Sequence, residues 1–149
     1  MAEISKLTGR TYKPFTYYGD PDAENIIVAM GSITETTKET IDFLRAKGEK
    51  AGLLTVHLYR PFSAKYFFDV LPKSVKKIVV LDRTKEPGSV GEPLLEDVKT
   101  LFYNESKKPV IIITNNRYAI FCQRPLRSWK SRTPTIADII IPVCIKNRI

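Results

Sequence analysis

Four short apolar runs, set apart by stretches long enough for a helix, constrain this chain more than any other feature. They begin at Asn25, Ala51, Lys77 and Pro109. The first, Asn25-Ile26-Ile27-Val28-Ala29-Met30, shows no polar alternation, as expected of a strand covered on both faces. Gly31-Ser32 follows as a turn. Ser32-Ile33-Thr34-Glu35 then has the spacing of a capping box, with Ser32 accepting from the backbone and Glu35 reaching back. A helix is predicted over residues 33–47, with Ile33, Ile41 and Leu44 along one face and Gly48 ending it. The second strand is predicted over 51–59. Arg60-Pro61-Phe62-Ser63 breaks it, and Ser63 is placed to cap a helix over 64–71. A third strand is predicted over 77–82, a Gly/Pro loop over 83–91, a helix over 92–103 and a fourth strand over 109–114. Strand and helix in strict alternation imply right-handed parallel crossovers with helices on the faces of the sheet. The expected fold is an α/β open αβα sandwich with a mostly parallel sheet. Ahead of it, residues 1–25 are polar and turn-rich and read as an entering linker, whose Tyr12, Phe15, Tyr17 and Tyr18 suggest that it packs against something. After Thr114 the alternation fails. The chain therefore divides into a linker (1–25), an α/β domain (26–116) and a divergent tail (117–149).

In open parallel sheets, ligands and partner surfaces gather at the carboxyl ends of the strands. Three loops fall there: residues 31–36, 59–63 and 82–93. They do not form a recognisable nucleotide site. A dinucleotide fingerprint needs GxGxxG and only Gly31 is present; a P-loop needs Gly-Lys-Ser/Thr after a strand, and none follows one. The helix start at Ser32 could attract an anion, but Glu35 would repel it. Arg60 and Arg83 each follow a buried strand, where a charge needs a partner. Local pairing with Glu35, Asp82 or Glu86 is one reading; contact with another domain or subunit is the other. His57 is the single histidine, and no GxSxG elbow accompanies it, so a structural or surface role is expected. Cys122 and Cys144 show no CxxC or Cys/His spacing that would hold zinc or an iron–sulfur cluster.

The net charge of +8 is unevenly spread. Of 24 Lys+Arg and 16 Asp+Glu, seven basic residues and Asp138 alone fall in 117–149, so the tail carries +6 and the rest +2. A basic tail can bind nucleic acid through phosphate contacts, but this one carries no recognisable nucleic-acid motif, and an incidental extension is the plainer reading. The chain has no apolar run near the ~18 residues a membrane span needs. Its first residues lack the apolar core of a signal peptide. No membrane association is expected, and a cytoplasmic location is, or an anaerobic energy organelle in a eukaryote.

Several long segments are also familiar. Thr8-Gly9-Arg10, Tyr17-Tyr18-Gly19-Asp20-Pro21-Asp22-Ala23-Glu24, Ile27-Val28-Ala29-Met30-Gly31-Ser32-Ile33-Thr34-Glu35-Thr36, Gly52-Leu53-Leu54-Thr55-Val56-His57-Leu58-Tyr59-Arg60-Pro61-Phe62 and Leu81-Asp82-Arg83-Thr84-Lys85-Glu86-Pro87-Gly88 stand in one order and spacing. Together they resemble the second domain of pyruvate:ferredoxin (flavodoxin) oxidoreductases over roughly residues 5–113. The resemblance implies a fold like the transketolase C-terminal domain. It also implies a parent reaction, the coenzyme A-dependent oxidative decarboxylation of pyruvate to acetyl-CoA, with electrons passed to ferredoxin or flavodoxin. The family uses thiamine diphosphate, Mg²⁺ and 4Fe–4S clusters held by other domains, so no cofactor and no catalytic residue is assigned here. What the resemblance implies for this segment is a scaffold that packs on the other domains of a homodimeric enzyme, with Glu35, Arg60, Arg83 and Glu86 as contact residues. Alone, the chain is expected to be inactive. The runner-up is a stand-alone α/β module docking on a partner subunit or, through its tail, on nucleic acid. The resemblance breaks after Arg117-Tyr118, where the charge also shifts. A reading-frame change just after Tyr118 would produce that break, and a divergent genuine C-terminus is the alternative.

Overall fold

The computed structural model describes residues 1–82, 84 and 87–113. The contact residues Arg83 and Glu86 and the tail over 117–149, with its change of charge, lie outside the described residues.

The helices and strands follow one another as α1 (Ala2–Thr8), β1 (Phe15–Gly19), β2 (Asn25–Met30), α2 (Ile33–Ala46), β3 (Ala51–Val56), α3 (Ala64–Val70), β4 (Lys77–Val80), α4 (Pro93–Leu101) and β5 (Val110–Ile113). The sheet order is β1-β3-β2-β4-β5. β2 pairs parallel with β3 and with β4, and β4 pairs parallel with β5. Successive side chains of a strand point to opposite faces, and the core divides accordingly. Ile26, Val28, Leu54, Val56, Ile78 and Val80 join Phe67 of α3 and Leu94 and Val98 of α4 on one face. Ile27, Ala29, Leu53, Val79 and Leu81 join Ile33, Ile41 and Leu44 of α2 on the other. Burial on both faces is why the strands read as unbroken apolar runs. The expected open αβα sandwich with a mostly parallel sheet is present.

The structure departs from expectation in the first 25 residues. The stretch read as a linker contains α1 and β1, and β1 closes one edge of the sheet antiparallel to β3, with Phe15 opposite Val56 and Gly19 opposite Gly52. Phe15 is buried at 1% exposure and meets Phe62 and Phe67 edge-on. Tyr17 lies across Gly52: a Cβ at that glycine would stand 2.0 Å from the tyrosine oxygen. The Tyr17 hydroxyl donates to the Asp20 carbonyl, and burial, followed by the charge of Asp20, pushes the phenol up to about 12.

The start of α2 also differs. Ser32 has helical dihedrals (φ −62°, ψ −23°) and its side chain makes no capping bond, so the expected capping box does not form. Glu35 turns instead to Lys38 at 2.8 Å. The buried stripe of α2 includes Thr34, Thr37 and Thr40 beside the three apolar residues. Each threonine hydroxyl donates back to a carbonyl one turn earlier, to Gly31 at 2.8 Å, Ile33 at 2.8 Å and Thr36 at 3.2 Å. Burial therefore leaves no hydroxyl unsatisfied, which lets a threonine-rich face pack on the sheet. Ser63, at the N-terminal end of α3, likewise makes no side-chain capping bond.

Candidate functional site

From β2 the chain crosses by way of α2 to β3 on one side, and from β4 it crosses by way of α4 to β5 on the other. The crevice between the carboxyl ends of β2 and β4 is therefore the topological switch point of the sheet. The loops after β2, β3 and β4 surround it, as the sequence led one to expect. Arg60, after β3, and Asp82, after β4, each make a long-range polar contact to α4.

Arg60 lies just after β3. Its Nη1 donates to Asp97 Oδ2 on α4 at 2.7 Å, and its Nη2 donates to the Tyr59 hydroxyl at 3.2 Å. The guanidinium carbon sits 4.0 Å from the centroid of the Tyr59 ring. The hydrogen bond to Asp97 holds the guanidinium pKa above its usual value, and the charges of Asp97 and Tyr59 act the same way. Tyr59 is raised in turn, first by burial and then by Asp97. The Arg60–Pro61 peptide is cis. The effect of these contacts is to tie the loop after β3 to the outer face of α4. The Arg60 side chain stays 57% exposed, so the arginine can still meet a partner from outside.

Asp82 ties the loop after β4 in the same way. Its Oδ1 accepts from the Thr84 amide at 2.9 Å and its Oδ2 from the Leu94 amide at 2.8 Å. Pro93 is the first residue of α4 and has no N–H, so Leu94 carries the first free donor of the helix. Glu92, at the capping position, makes no side-chain capping bond. Asp82 does that work from twelve residues away, and its negative charge also suits the helix N-terminus. Asp82→Ala is expected to cost about 1–2 kcal/mol, the usual loss on removing a cap. Asp82→Asn, which keeps an acceptor, should cost less. Amide exchange would check this: the first turn of α4 should lose protection in the alanine variant while β2 and β3 keep theirs.

Of the candidate contact residues, Glu35 and Arg60 lie among the described residues, and they do not pair with each other. Glu35 points outward at 75% side-chain exposure and pairs with Lys38 rather than with Arg60. Neither Glu35 nor Asp82 pairs with Arg60; the partner is Asp97, which the sequence reading did not single out. No local pattern marks it. Asp97 is one of two adjacent acidic residues in its helix, and Arg60 lies 37 positions away. His57 is exposed at the end of β3, with Nε2 2.8 Å from Thr16 Oγ1, a placement that suits a surface role.

Among the described residues, no group of three or more His, Cys, Asp or Glu side chains is gathered as a metal ion would require. Cys122 and Cys144 fall outside the described residues. The described residues therefore do not present the donor set a 4Fe–4S cluster or a Mg²⁺–diphosphate pair needs. Among the described residues, no helix is long and apolar enough to cross a membrane.

Residues 23–117 match the family described as pyruvate:ferredoxin oxidoreductase core domain II. The chain is 62% identical over 120 residues to a pyruvate-flavodoxin oxidoreductase of Enterobacter agglomerans. It is 55% identical over 120 residues to a pyruvate-flavodoxin oxidoreductase of Klebsiella pneumoniae. Each alignment covers 80% of this chain and 10% of the relative, so the chain spans about a tenth of the length of these curated relatives. Among solved structures, a 2-oxoglutarate:ferredoxin oxidoreductase from Magnetococcus marinus matches at 20% identity and a TM-score of 0.48, covering 74% of this chain and 18% of that one.

Proposed function

Because the chain belongs to the pyruvate:ferredoxin oxidoreductase core domain II family, we propose that it serves as an interdomain scaffold of an enzyme that oxidatively decarboxylates pyruvate with coenzyme A to acetyl-CoA. The observation that carries this reading is one of proportion. The family match fills 23–117, most of the chain, whereas the chain accounts for 10% of each full-length relative named above. In this reading the reaction, with its thiamine diphosphate, Mg²⁺ and iron–sulfur clusters and its transfer of electrons to ferredoxin or flavodoxin, belongs to the remainder of a homodimeric parent. The domain contributes a rigid edge. Asp97 holds Arg60 in the loop after β3 and Asp82 holds the start of α4, so these contacts are made before any neighbour arrives. Preset loops lose little conformational entropy on docking. Glu35 and the exposed part of Arg60 are the contact residues on this edge, together with Arg83 and Glu86 from the same loop region.

The test is a chimera. The segment of the Enterobacter agglomerans enzyme aligned to this chain is replaced by the corresponding residues of this chain, and pyruvate-dependent reduction of an electron acceptor is measured. The chimera is expected to retain activity and the 149-residue chain alone to have none. Turnover of pyruvate by the chain alone would overturn the reading. A chimera that folds and assembles yet is inactive would also count against it and favour a stand-alone binding module.

A further inference from the structure

The carboxyl edge faces one way; the opposite edge of the sheet has a different chemical character. There the amino ends of β4 and β5 lie side by side, with Lys77 opposite Val110. Four exposed lysines are brought together around them. Lys107 Nζ donates to the Lys73 carbonyl at 3.1 Å, which joins the segment before β4 to the segment before β5. The Val110 amide donates to the Lys76 carbonyl at 2.8 Å. Lys108 Nζ lies 5.7 Å from the centroid of the Tyr103 ring. Glu24 answers Lys76 at 2.7 Å, but among the described residues Lys73, Lys107 and Lys108 form no ion pair. Two apolar groups stand exposed on the same edge, Tyr103 at 76% and Val110 at 57%. Like charges gathered by the backbone repel one another, and negative charge brought from outside relieves that repulsion.

We infer that this lysine-rimmed edge docks an acidic face of another domain of the parent oxidoreductase. The source of the partner rests on the reading given above, that the chain is one domain of a larger enzyme; the acidic chemistry does not. Two features favour a protein carboxylate surface over nucleic acid. The rim is built of lysines with no arginine among its described residues, whereas phosphate recognition favours the arginine fork. It also surrounds an exposed aromatic ring and a valine, the arrangement of an apolar anchor within a polar rim that protein interfaces use. The edge lies across the sheet from the crevice loops, so the scaffold would be gripped at both ends.

Zero-length carbodiimide cross-linking reads the contact, because it joins a lysine amine to a carboxylate it touches. The 149-residue chain is treated in the presence of poly-glutamate and the joined lysines are mapped by mass spectrometry. Joining is expected to concentrate on Lys73, Lys107 and Lys108 over Lys6, Lys13, Lys38 and Lys65, and to fade as salt is raised. The triple variant Lys73→Glu, Lys107→Glu, Lys108→Glu should bind the peptide at least about tenfold more weakly, the scale expected when several charges at one contact are reversed. Cross-links spread over all exposed lysines, or undiminished binding by the triple variant, would overturn the inference. So would tighter protection of the same lysines by duplex DNA, which would make the partner a nucleic acid. The same mapping on the chimera locates the partner, where cross-links to carboxylates of other domains are expected. An active chimera whose Lys73, Lys107 and Lys108 stay unjoined would leave the scaffold reading standing and remove this one.

Discussion

Phe67→Ala is expected to destabilise the domain by about 3–5 kcal/mol, the range for emptying a buried phenylalanine site. Phe67 has 0% exposure and stands where four other rings converge. Its centroid lies 5.6 Å from Phe15, 6.0 Å from Phe62, 5.7 Å from Phe68 and 6.2 Å from Phe102. Three of these pairs are edge-on, the geometry in which the positive rim of one ring meets the negative face of the next. The rings come from β1, the loop after β3, α3 and the end of α4, so a single side chain fastens four parts of the chain to one face of the sheet. A cavity here cannot be filled by sliding one element, because each neighbour is also held by another ring. In a domain of this size each kcal/mol moves the melting temperature by about 4–8 °C. Thermal unfolding of the variant should therefore fall by well over ten degrees. Phe67→Leu, which keeps most of the volume, should lose about 1–1.5 kcal/mol. If alanine and leucine gave the same small shift, the ring cluster would not be the centre of this face.

How much of this was legible in the sequence depends on whether the cause of each feature is local. β2, β3, β4 and β5 were, because burial on both faces leaves an apolar run that needs no partner to be recognised. α2 was legible from Ile33, Ile41 and Leu44, although half of its buried stripe is threonine and acceptable only because the hydroxyls bond to their own helix. β1 was not. Phe15-Thr16-Tyr17-Tyr18-Gly19 is an edge strand of mixed burial, and its place is set by β3, more than thirty residues later in the chain. The capping box failed for a local reason that only dihedrals reveal. Ser32 already has helical backbone and its side chain makes no capping bond, and Glu35 pairs with Lys38 instead. At the candidate site the sequence placed three loops after strand ends, although β3 stops at Val56 rather than running to Tyr59. It could not find Asp97 as the partner of Arg60, or Asp82 as the cap of α4, since both bonds depend on α4 packing beside those loops. Lysines scattered at 73, 76, 107 and 108 become one surface only when β4 and β5 pair.

Gly19→Ala supplies the sharpest test of the edge strand that the sequence did not announce. Gly19 has φ of +130°, a conformation L side chains rarely adopt. A Cβ there would stand 2.7 Å from the Ala51 carbonyl oxygen and 2.7 Å from Gly52 Cα. Both obstacles are backbone of β3, so no rotamer change relieves them. Two penalties therefore combine: about 1–3 kcal/mol for the strained backbone and about 1–3 kcal/mol for overpacking. Gly48 provides the comparison. It also has positive φ, +82°, but a Cβ there would meet nothing within 4 Å. Gly48→Ala should show the conformational penalty alone, roughly 1 kcal/mol. The expected result is a loss at Gly19 at least twice that at Gly48 in denaturant unfolding. Amide exchange should show the Gly19 loss concentrated in β1 and the outer side of β3, because Gly19 faces Gly52 in the register and the chain can escape only by peeling the edge away. Tyr17 would leave with it, since its ring rests on Gly52 in the space a side chain there would fill. Equal losses at the two glycines would mean that β1 does not lie against β3 in this register. The residues before Asn25 would then return to being the linker that the sequence alone described.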